Sequence, residues 1–331
     1  MLTRRQALLA PAAFAVMRGK GATELNALGA ASGKMTLALH QNSSARAGYR
    51  GSLEGWARAG IRLVEITSNM LDEFLKTDSL AAAGRVLTDL GLTPVSGSCG
   101  VLGLLLPNPA RPRLLDTFKK RCEMFATLGI PRTYSTTAAP GNAASASASS
   151  STTPTSASPT AAGASKPTLD DYKIAADNLR EVGEAAKEFK LTMMFEFVRQ
   201  SSFASTLPTM LSITRAAAHP NVGILFDCYH FWSGLNKLED LDSLGPGEIA
   251  HVHFQDVPDM PRELLDNATR VIPGDGVTPL AAILRKLSEK GYAGALSVEL
   301  FASKFQQADP FELAREIKPK AEAVMRRAGV L

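Results

Sequence analysis

Short apolar runs alternate with longer amphipathic segments along most of the chain. A run in which every second side chain is large and apolar indicates a strand, and a 3.6-residue period indicates a helix. One long helical segment is predicted over residues 70–91. The predicted strands are MTLALH (35–40), IRLVEIT (61–67), TPVSGSC (93–99), PRTYST (131–136), LTMMFEF (191–197), VGILFD (222–227), AHVHFQ (250–255) and GALSVELF (294–301).

Strands that alternate with helices favour a parallel sheet, and eight such units are the number that closes a barrel. The pattern therefore predicts an α/β fold, a single-domain (β/α)₈ TIM barrel over residues 34–331. An open, doubly wound sheet is the alternative. No G-x-G-x-x-G follows the first strand and no P-loop sequence occurs, so the barrel is favoured.

The first 33 residues differ from this pattern. Arg4 and Arg5 precede a short apolar run, and an A-x-A sequence follows at residues 13–15. This is the layout of a bacterial export signal, and the paired arginines indicate the twin-arginine type. We expect a periplasmic protein, or a cytoplasmic one if the signal is not used. The apolar run is too short for a permanent membrane span.

A second stretch, residues 136–168, consists almost entirely of Ala, Ser, Thr, Pro and Gly. This composition cannot build a core, and it predicts a disordered insertion directly after the fourth strand. A glycan-bearing or lid-like insertion is the alternative. A loop here would lie on the barrel face that carries function.

Composition narrows the classes of partner and chemistry. A formal charge of +4 from 36 basic and 32 acidic residues, without a dense basic block, argues against nucleic acid as a partner. The three cysteines, at 99, 122 and 228, have no C-x-x-C spacing. We expect buried thiols rather than disulfides or a zinc–thiolate site.

Alternate side chains of a strand point to opposite faces, which locates the ionisable residues of six strands. Ile224 and Phe226, for example, share one face and Asp227 lies on the other. The same argument places the following side chains inside the barrel: His40, Glu65, Glu196, Asp227, His251, His253 and Glu299. We expect His251 to be a hydrogen-bonded core residue one layer below His253, and His219 to follow a helix end.

Four of these residues come from the ends of consecutive strands and should surround one point at the barrel mouth: Glu196, Asp227, His253 and Glu299. This mixed oxygen and nitrogen set suits one divalent metal ion, Mn²⁺, Mg²⁺, Co²⁺ or Zn²⁺, with open positions for substrate oxygens. The sequence does not choose among the metals. For each residue alone, a structural hydrogen bond is the alternative.

Several short sequences resemble the sugar phosphate isomerase/epimerase family, whose fold is a xylose-isomerase-like TIM barrel. The resemblance rests on MMFEF, FDCYH, HVHFQD, PGDG and LSVEL in this order, and spans about residues 35–328. It implies that Glu196, Asp227, His253 and Glu299 hold the metal. It also implies that Glu196 and Glu299 are the catalytic acid and base, which move a carbon-bound proton through an enediolate.

The resemblance further implies that His230 contacts a substrate oxygen and that Arg270, just before the PGDG turn, binds substrate. Arg262 is the alternative candidate for binding substrate. His40 and Glu65 are expected to line the floor or bind hydroxyls. The insertion departs from the compact loop usual in the family, which puts in doubt any contact from that loop.

The expected activity is isomerisation or epimerisation of a small sugar or keto-sugar, and the export signal favours an unphosphorylated sugar or polyol as the substrate. Inosose dehydratase-like and hydroxypyruvate isomerase activities are alternatives within the enzyme class. An exported sugar-binding protein without turnover is the alternative of another class, against which the presence of both glutamates argues. An endonuclease IV-like role is disfavoured by only five histidines and no basic groove. The sequence is compatible with a homo-oligomer and does not determine the oligomeric state.

Overall fold

The computed structural model describes residues 34–137 and 166–331. The predicted export signal and most of the predicted insertion lie outside the described residues. At the edges of the insertion, Thr136 is the last residue of a strand and Thr168 is the N-cap of a helix. The Thr168 side chain and Asp171 form a reciprocal capping box.

Eight parallel strands form a closed barrel in sequence order, which confirms the predicted fold class. The barrel closes where the last strand pairs with the first, with Leu37 opposite Leu296. The strands are β1 (Thr36–His40), β2 (Leu63–Ile66), β3 (Thr93–Ser98), β4 (Arg132–Thr136), β5 (Thr192–Glu196), β6 (Val222–Asp227), β7 (Ile249–His253) and β8 (Ala295–Val298).

Helices surround the barrel. Among the described residues they are α1 (Gly48–Arg58), α2 (Ser68–Phe74), α3 (Leu80–Asp89), α4 (Arg111–Thr127), α5 (Leu169–Glu188), α6 (Leu207–Ala217), α7 (Cys228–Ser233), α8 (Leu280–Glu289), α9 (Ser303–Gln306) and α10 (Pro310–Ala328). Four 3₁₀ segments join them, at Gln41–Ala47, Leu238–Ser243, Arg262–Leu264 and Asn267–Thr269. None of the helices in these ranges is both long and apolar enough to cross a bilayer.

The single helical segment predicted over residues 70–91 is wrong in one respect, because the structure has two helices there. The side chain of Ser79 accepts a hydrogen bond from the backbone of Ala82 and begins α3. A serine that caps a new helix competes with continuation of the preceding one. The chain therefore breaks between Phe74 and Ser79.

The two faces of the strands differ as the residue period predicts. Outward residues such as Phe195, Ile224 and Phe226 pack with the helices in one large core. The interior instead holds two small apolar clusters, one of Ala38, Leu63, Val95 and Ala295 and one of Tyr134, Met194 and Leu225. Polar side chains fill the carboxyl-terminal end. The three cysteines are free and buried, as expected.

Candidate active site at the carboxyl ends of the strands

The candidate site forms where four neighbouring strands end. Glu196, Asp227 and His253 are the last residues of β5, β6 and β7, and Glu299 directly follows β8. Asp227 lies opposite His253 in the sheet register. Because the strands are parallel, their carboxyl ends bring all four side chains to one end of the barrel.

The four side chains converge around the imidazole of His253. Its Nδ1 lies 3.4 Å from Glu196 Oε1, 3.5 Å from Asp227 Oδ2 and 3.4 Å from Glu299 Oε2. One potential ligand atom from each residue falls within 4.8 Å of the others, and all four residues are buried. The predicted convergence at one point is therefore present.

This donor set fits a divalent cation. Within the described residues, Glu196 Oε1 and His253 Nδ1 are buried and have no hydrogen-bond partner. Buried polar atoms normally have one, so unpartnered atoms that face each other indicate a ligand between them. Three carboxylates and an imidazole nitrogen suit Mn²⁺, Mg²⁺, Co²⁺ or Zn²⁺.

Glu65 lies on the other side of the His253 ring. Its Oε2 is 3.3 Å from His253 Nε2 and 2.9 Å from His251 Nε2, and all three side chains are fully buried. Glu65 accepts from Nε2 of His253, so Nδ1 is the ring atom that faces the carboxylates. Burial acts to lower the pKa of His253, but Glu299 and Glu65 raise it well above its ordinary value, and a cation at Nδ1 would displace the proton there. Of the two expected positions for Glu65, these contacts favour the floor of the site over a contact with substrate hydroxyls. The hydrogen bond of His251 agrees with its expected place in the core.

Arg270 reaches the site from the loop after β7. The guanidinium is buried, and its Nη1 lies 2.9 Å from Asp227 Oδ2 and 2.7 Å from Glu299 Oε2. It packs over the rings of Tyr229 and Phe301. The rival Arg262 is exposed and lies over the ring of Trp232. Of the two arginines, Arg270 is thus the one that the structure places beside the cluster.

Asp256 organises the loop that carries Arg270. Its carboxylate accepts hydrogen bonds from the backbone N–H groups of Val257, Gly274, Gly276 and Thr278 at 2.8–3.2 Å. A β-bridge also joins Asp256 to Val271, the residue after Arg270. A side chain at Gly276 would place its Cβ 2.1 Å from the carbonyl oxygen of Val257. The HVHFQD and PGDG sequences are therefore in direct contact in the structure, through Asp256.

His230 lies beside the cluster at the first turn of α7. Its backbone N–H donates to Asp227 Oδ1 at 2.7 Å, which fixes the helix start on the strand end. Its Nε2 is 3.3 Å from Arg270 Nη2 and 3.9 Å from Glu196 Oε1. Burial lowers the pKa of His230 to about 3, so the imidazole is neutral at physiological pH.

His40 approaches Glu299 from the end of β1. Its Nε2 is 3.4 Å from Glu299 Oε1 and 2.9 Å from the hydroxyl of Tyr134. Asn42 donates its side-chain amide to the same Glu299 oxygen at 3.1 Å. The structure therefore brings His40 into the site, together with Tyr134 and Asn42, which the sequence pattern does not single out.

Gln255 is another site residue that the pattern misses. Its side-chain amide donates to Asp227 Oδ1 at 2.8 Å, and both residues are buried. The one feature of the sequence that could have indicated Gln255 is that it is polar and lies two residues after His253, on the same face of the chain. By contrast, His219 follows the end of α6 as expected and contacts Glu184 outside the site.

The carboxylic acids of the cluster differ in proton affinity. Burial, together with the charges of Asp227 and Glu299, raises the pKa of Glu196 to about 8. Burial also acts to raise the pKa of Glu299, but His253, His40 and Arg270 bring it below its ordinary value. At neutral pH the metal-free cluster therefore holds a protonated Glu196 and an ionised Glu299, an acid and a base.

Comparison with known proteins gives consistent matches. A family model for the xylose isomerase-like TIM barrel matches residues 54–324. An inosose isomerase from Bacillus velezensis is 25% identical over 277 residues, which are 82% of this chain and 90% of that relative. An inosose isomerase from Halalkalibacterium halodurans is 33% identical over 141 residues, 42% of this chain and 50% of the relative. In the latter comparison, the chain spans only half the length of the relative.

Other matches include a relative with a different named activity and solved structures that have the same fold. An inosose dehydratase from Lacticaseibacillus casei is 25% identical over 172 residues, 48% of this chain and 56% of that protein. A solved structure of an IolI protein with a zinc atom has a TM-score of 0.75 at 22% identity, and covers 89% of this chain and 99% of its own. An L-ribulose 3-epimerase has a TM-score of 0.66 at 19% identity, with 89% and 96% covered.

Proposed function

The chain belongs to the family of xylose isomerase-like TIM barrels, and from this premise we propose that it is a divalent-metal-dependent isomerase or epimerase of a small polyhydroxy ketone. The observation that carries the proposal is the convergence of Glu196, Asp227, His253 and Glu299 at one point of the barrel mouth. The substrate class is a keto-sugar or an inosose, in keeping with the inosose isomerases and the epimerase that resemble the chain.

The four residues of the cluster would hold the cation. When bound, a divalent ion supplies Lewis-acid polarisation of a carbonyl and its neighbouring hydroxyl, which acidifies the hydrogen on the carbon beside them. Arg270 adds a fixed positive charge within 2.9 Å of Asp227 and Glu299. Together with a bound cation, this charge would favour the negative charge that an enediolate carries.

Glu196 and Glu299 supply the proton transfer. They come from β5 and β8, so their carboxyl groups enter the mouth from different sides. Once the cation has displaced the proton of Glu196, both carboxylates are ionised. Glu299 is suited to remove a carbon-bound proton, and Glu196 is suited to return a proton that it takes up from solvent. Return of the proton to the other face inverts the carbon, and return to the neighbouring carbon moves the carbonyl.

A lyase is the second candidate function. The chain also resembles an inosose dehydratase, and dehydration begins with the same removal of a proton beside a carbonyl. The two reactions differ in the fate of the enediolate, which either takes up a proton or expels a hydroxyl group. The charges and the acid–base pair of this site support the shared first step.

We also propose export through the paired arginines near the N-terminus. A substrate outside the cytoplasm would be an unphosphorylated sugar or polyol. This part of the proposal is independent of the chemistry, since the same site would act on such a substrate in either compartment.

The proposal is tested by solvent exchange. Protein loaded with Mn²⁺ is incubated in D₂O with ketoses and an inosose, and deuterium at the carbon beside the carbonyl is followed by NMR. We expect incorporation by the wild type and a loss of about 10²-fold or more in Glu196→Gln and Glu299→Gln. The control variant is Glu184→Gln, which alters an exposed glutamate that also contacts a histidine.

The outcomes separate the candidates. An enone product with loss of water would favour the dehydratase. Binding of a sugar without deuterium incorporation would favour a sugar-binding protein that has no turnover. Full exchange in both glutamine variants would contradict the assigned roles.

A further inference from the structure

Tyr134 is a buried tyrosine in β4 that the pattern of apolar and polar positions does not distinguish from core. Its side chain points into the barrel, where it packs with Met194 and Leu225. Its ring lies edge-on to the His253 ring, with 5.3 Å between the centroids. The phenol is therefore part of the floor beneath the carboxylate cluster.

The hydrogen bonds of His40 fix the direction of the contact with this phenol. The backbone N–H of Asn42 donates to His40 Nδ1 at 3.1 Å. Nδ1 therefore carries a lone pair, and in a neutral imidazole the proton must lie on Nε2. Nε2 is 2.9 Å from the Tyr134 oxygen. His40 donates and Tyr134 accepts.

This assignment leaves the phenolic O–H of Tyr134 without an acceptor. Among the residues that the structure describes, the hydroxyl has His40 as its one hydrogen-bond partner. A buried donor without an acceptor is unfavourable. An unused donor next to a cluster of catalytic groups therefore indicates a ligand oxygen that accepts from it.

The position of the hydroxyl agrees with a contact to substrate. The same nitrogen, His40 Nε2, lies 2.9 Å from the Tyr134 oxygen and 3.4 Å from Glu299 Oε1. The hydroxyl therefore lies at the floor of the site, in the same group of contacts as Glu299.

We propose that Tyr134, held by His40, donates its phenolic hydrogen bond to the substrate oxygen that gains negative charge when the carbon-bound proton is removed. The inference rests on the proposed function and adds a substrate-contacting residue to it. A fixed neutral donor stabilises a developing oxyanion without first having to reorient. It also selects a substrate with an oxygen within reach of both the phenol and Glu299.

The test uses Tyr134→Phe, which removes the donor and keeps the ring. We expect the rate of deuterium exchange at saturating substrate to fall by about 10²-fold, the effect of losing one oxyanion donor. Mn²⁺ affinity, measured by calorimetry, is expected to stay within a factor of about two, because the phenol is not among the four cation-holding groups proposed above. Tyr292→Phe is the control, since that buried tyrosine donates to the Ala295 carbonyl instead.

Two results would overturn the inference while leaving the proposed function intact. One is an unchanged exchange rate in Tyr134→Phe. The other is an equal loss of Mn²⁺ affinity and exchange, which would make Tyr134 a structural residue.

A wild type that exchanges no substrate would instead count against the proposed function. In that case calorimetry with an inosose and the Mn²⁺-loaded protein decides the inference. If Tyr134→Phe binds the inosose more weakly than the wild type does, the phenol is supported as a hydrogen-bond donor to the ligand. If the two proteins bind it equally, or if the wild type does not bind it, the inference is contradicted.

Discussion

Arg270 offsets much of the negative charge that converges at the barrel mouth. Buried carboxylates are costly unless they are paired, and Asp227 and Glu299 each contact its guanidinium. Burial acts to raise the pKa of Asp227, but the charge of Arg270 brings it well below its ordinary value. Glu196 has no arginine partner among the described residues and takes up a proton instead. A cation would replace that proton.

Glu65 provides a test of how His253 is held. Glu65→Gln keeps the size of the side chain but weakens its acceptance from both imidazoles. Because partners of metal-bound histidines tune orientation and basicity, we expect Mn²⁺ affinity to fall about 10–100-fold. Calorimetry measures the change. The matched control, Glu184→Gln, alters a glutamate–histidine pair at the surface and should leave the affinity unchanged.

An unchanged Mn²⁺ affinity in Glu65→Gln, with a normal melting temperature, would contradict this role. A loss of affinity together with a large fall in melting temperature would show a contribution to the core instead. The circular dichroism melt of each variant separates these outcomes.

The raised pKa of Glu196 predicts how cation affinity depends on pH. With a pKa of about 8, against about 4.5 for an ordinary glutamate, the group holds a proton at pH 6–7 that a cation must displace. Burial acts to lower the pKa of His253, but Glu299 and Glu65 raise it well above its ordinary value, so the cation must displace a proton there too. Affinity should therefore rise with pH by at least about tenfold per unit below pH 8. Titration of Mn²⁺ from pH 6 to 9 measures the slope. A flat profile below pH 8 would contradict a protonated Glu196.

The sequence pattern predicts the face of a strand on which a residue lies, but not the residues that it contacts. It predicts Glu65 inside the barrel, where the structure has it, whereas the contacts of Glu65 with His251 and His253 depend on distances across the barrel. The same limit explains why Tyr134, Asn42 and Gln255 were not selected. Each acts through a contact to another strand end, which a two-residue period does not encode.

At the scale of elements, the strands were predictable and the connections less so. Each predicted strand contains the observed one except in β7, where the strand begins one residue earlier, at Ile249. A run in which every second residue is apolar predicts a strand, because one face of each strand must pack against the helices. The break before α3 depends instead on the single cap at Ser79, which competes with a continuous helical period.

The loop between β7 and α8 depends on one carboxylate. Asp256→Ala would leave four backbone donors without their acceptor, so we expect a loss of at least about 2 kcal/mol of stability. We also expect faster hydrogen exchange over residues 270–278 and a higher substrate KM, because Arg270 loses its fixed position. Hydrogen-exchange mass spectrometry and steady-state kinetics measure these effects.

Asp266→Ala is the control in the same loop. Asp266 caps the 3₁₀ segment Asn267–Thr269 and is exposed. Its removal should disturb that segment alone. If both variants gave the same exchange over residues 270–278, Asp256 would not be the organiser of the loop.

At the scale of the molecule, the number of strand–helix units determined the fold class before any site residue was considered. Eight parallel strands close on themselves, and closure places all the strand ends in one ring. Glu196 and Glu299 are 103 positions apart in the numbering but meet at this ring. Their convergence follows from topology, whereas the distances of a few ångströms that give them different pKa values do not.

The barrel contains a second group of potential ligands close to the first. His40, Glu65 and His253 also bring ligand atoms within 4.8 Å of one another, and His253 belongs to both groups. We assign the cation to Glu196, Asp227, His253 and Glu299, because Glu65 already contacts His251.

Anomalous X-ray diffraction from crystals of the protein soaked in Mn²⁺ tests this assignment most directly. We expect one strong peak in the anomalous map, within bonding distance of Glu196, Asp227, Glu299 and the Nδ1 atom of His253. A peak between His40, Glu65 and the Nε2 atom of His253, or the absence of a peak at the barrel mouth, would contradict it.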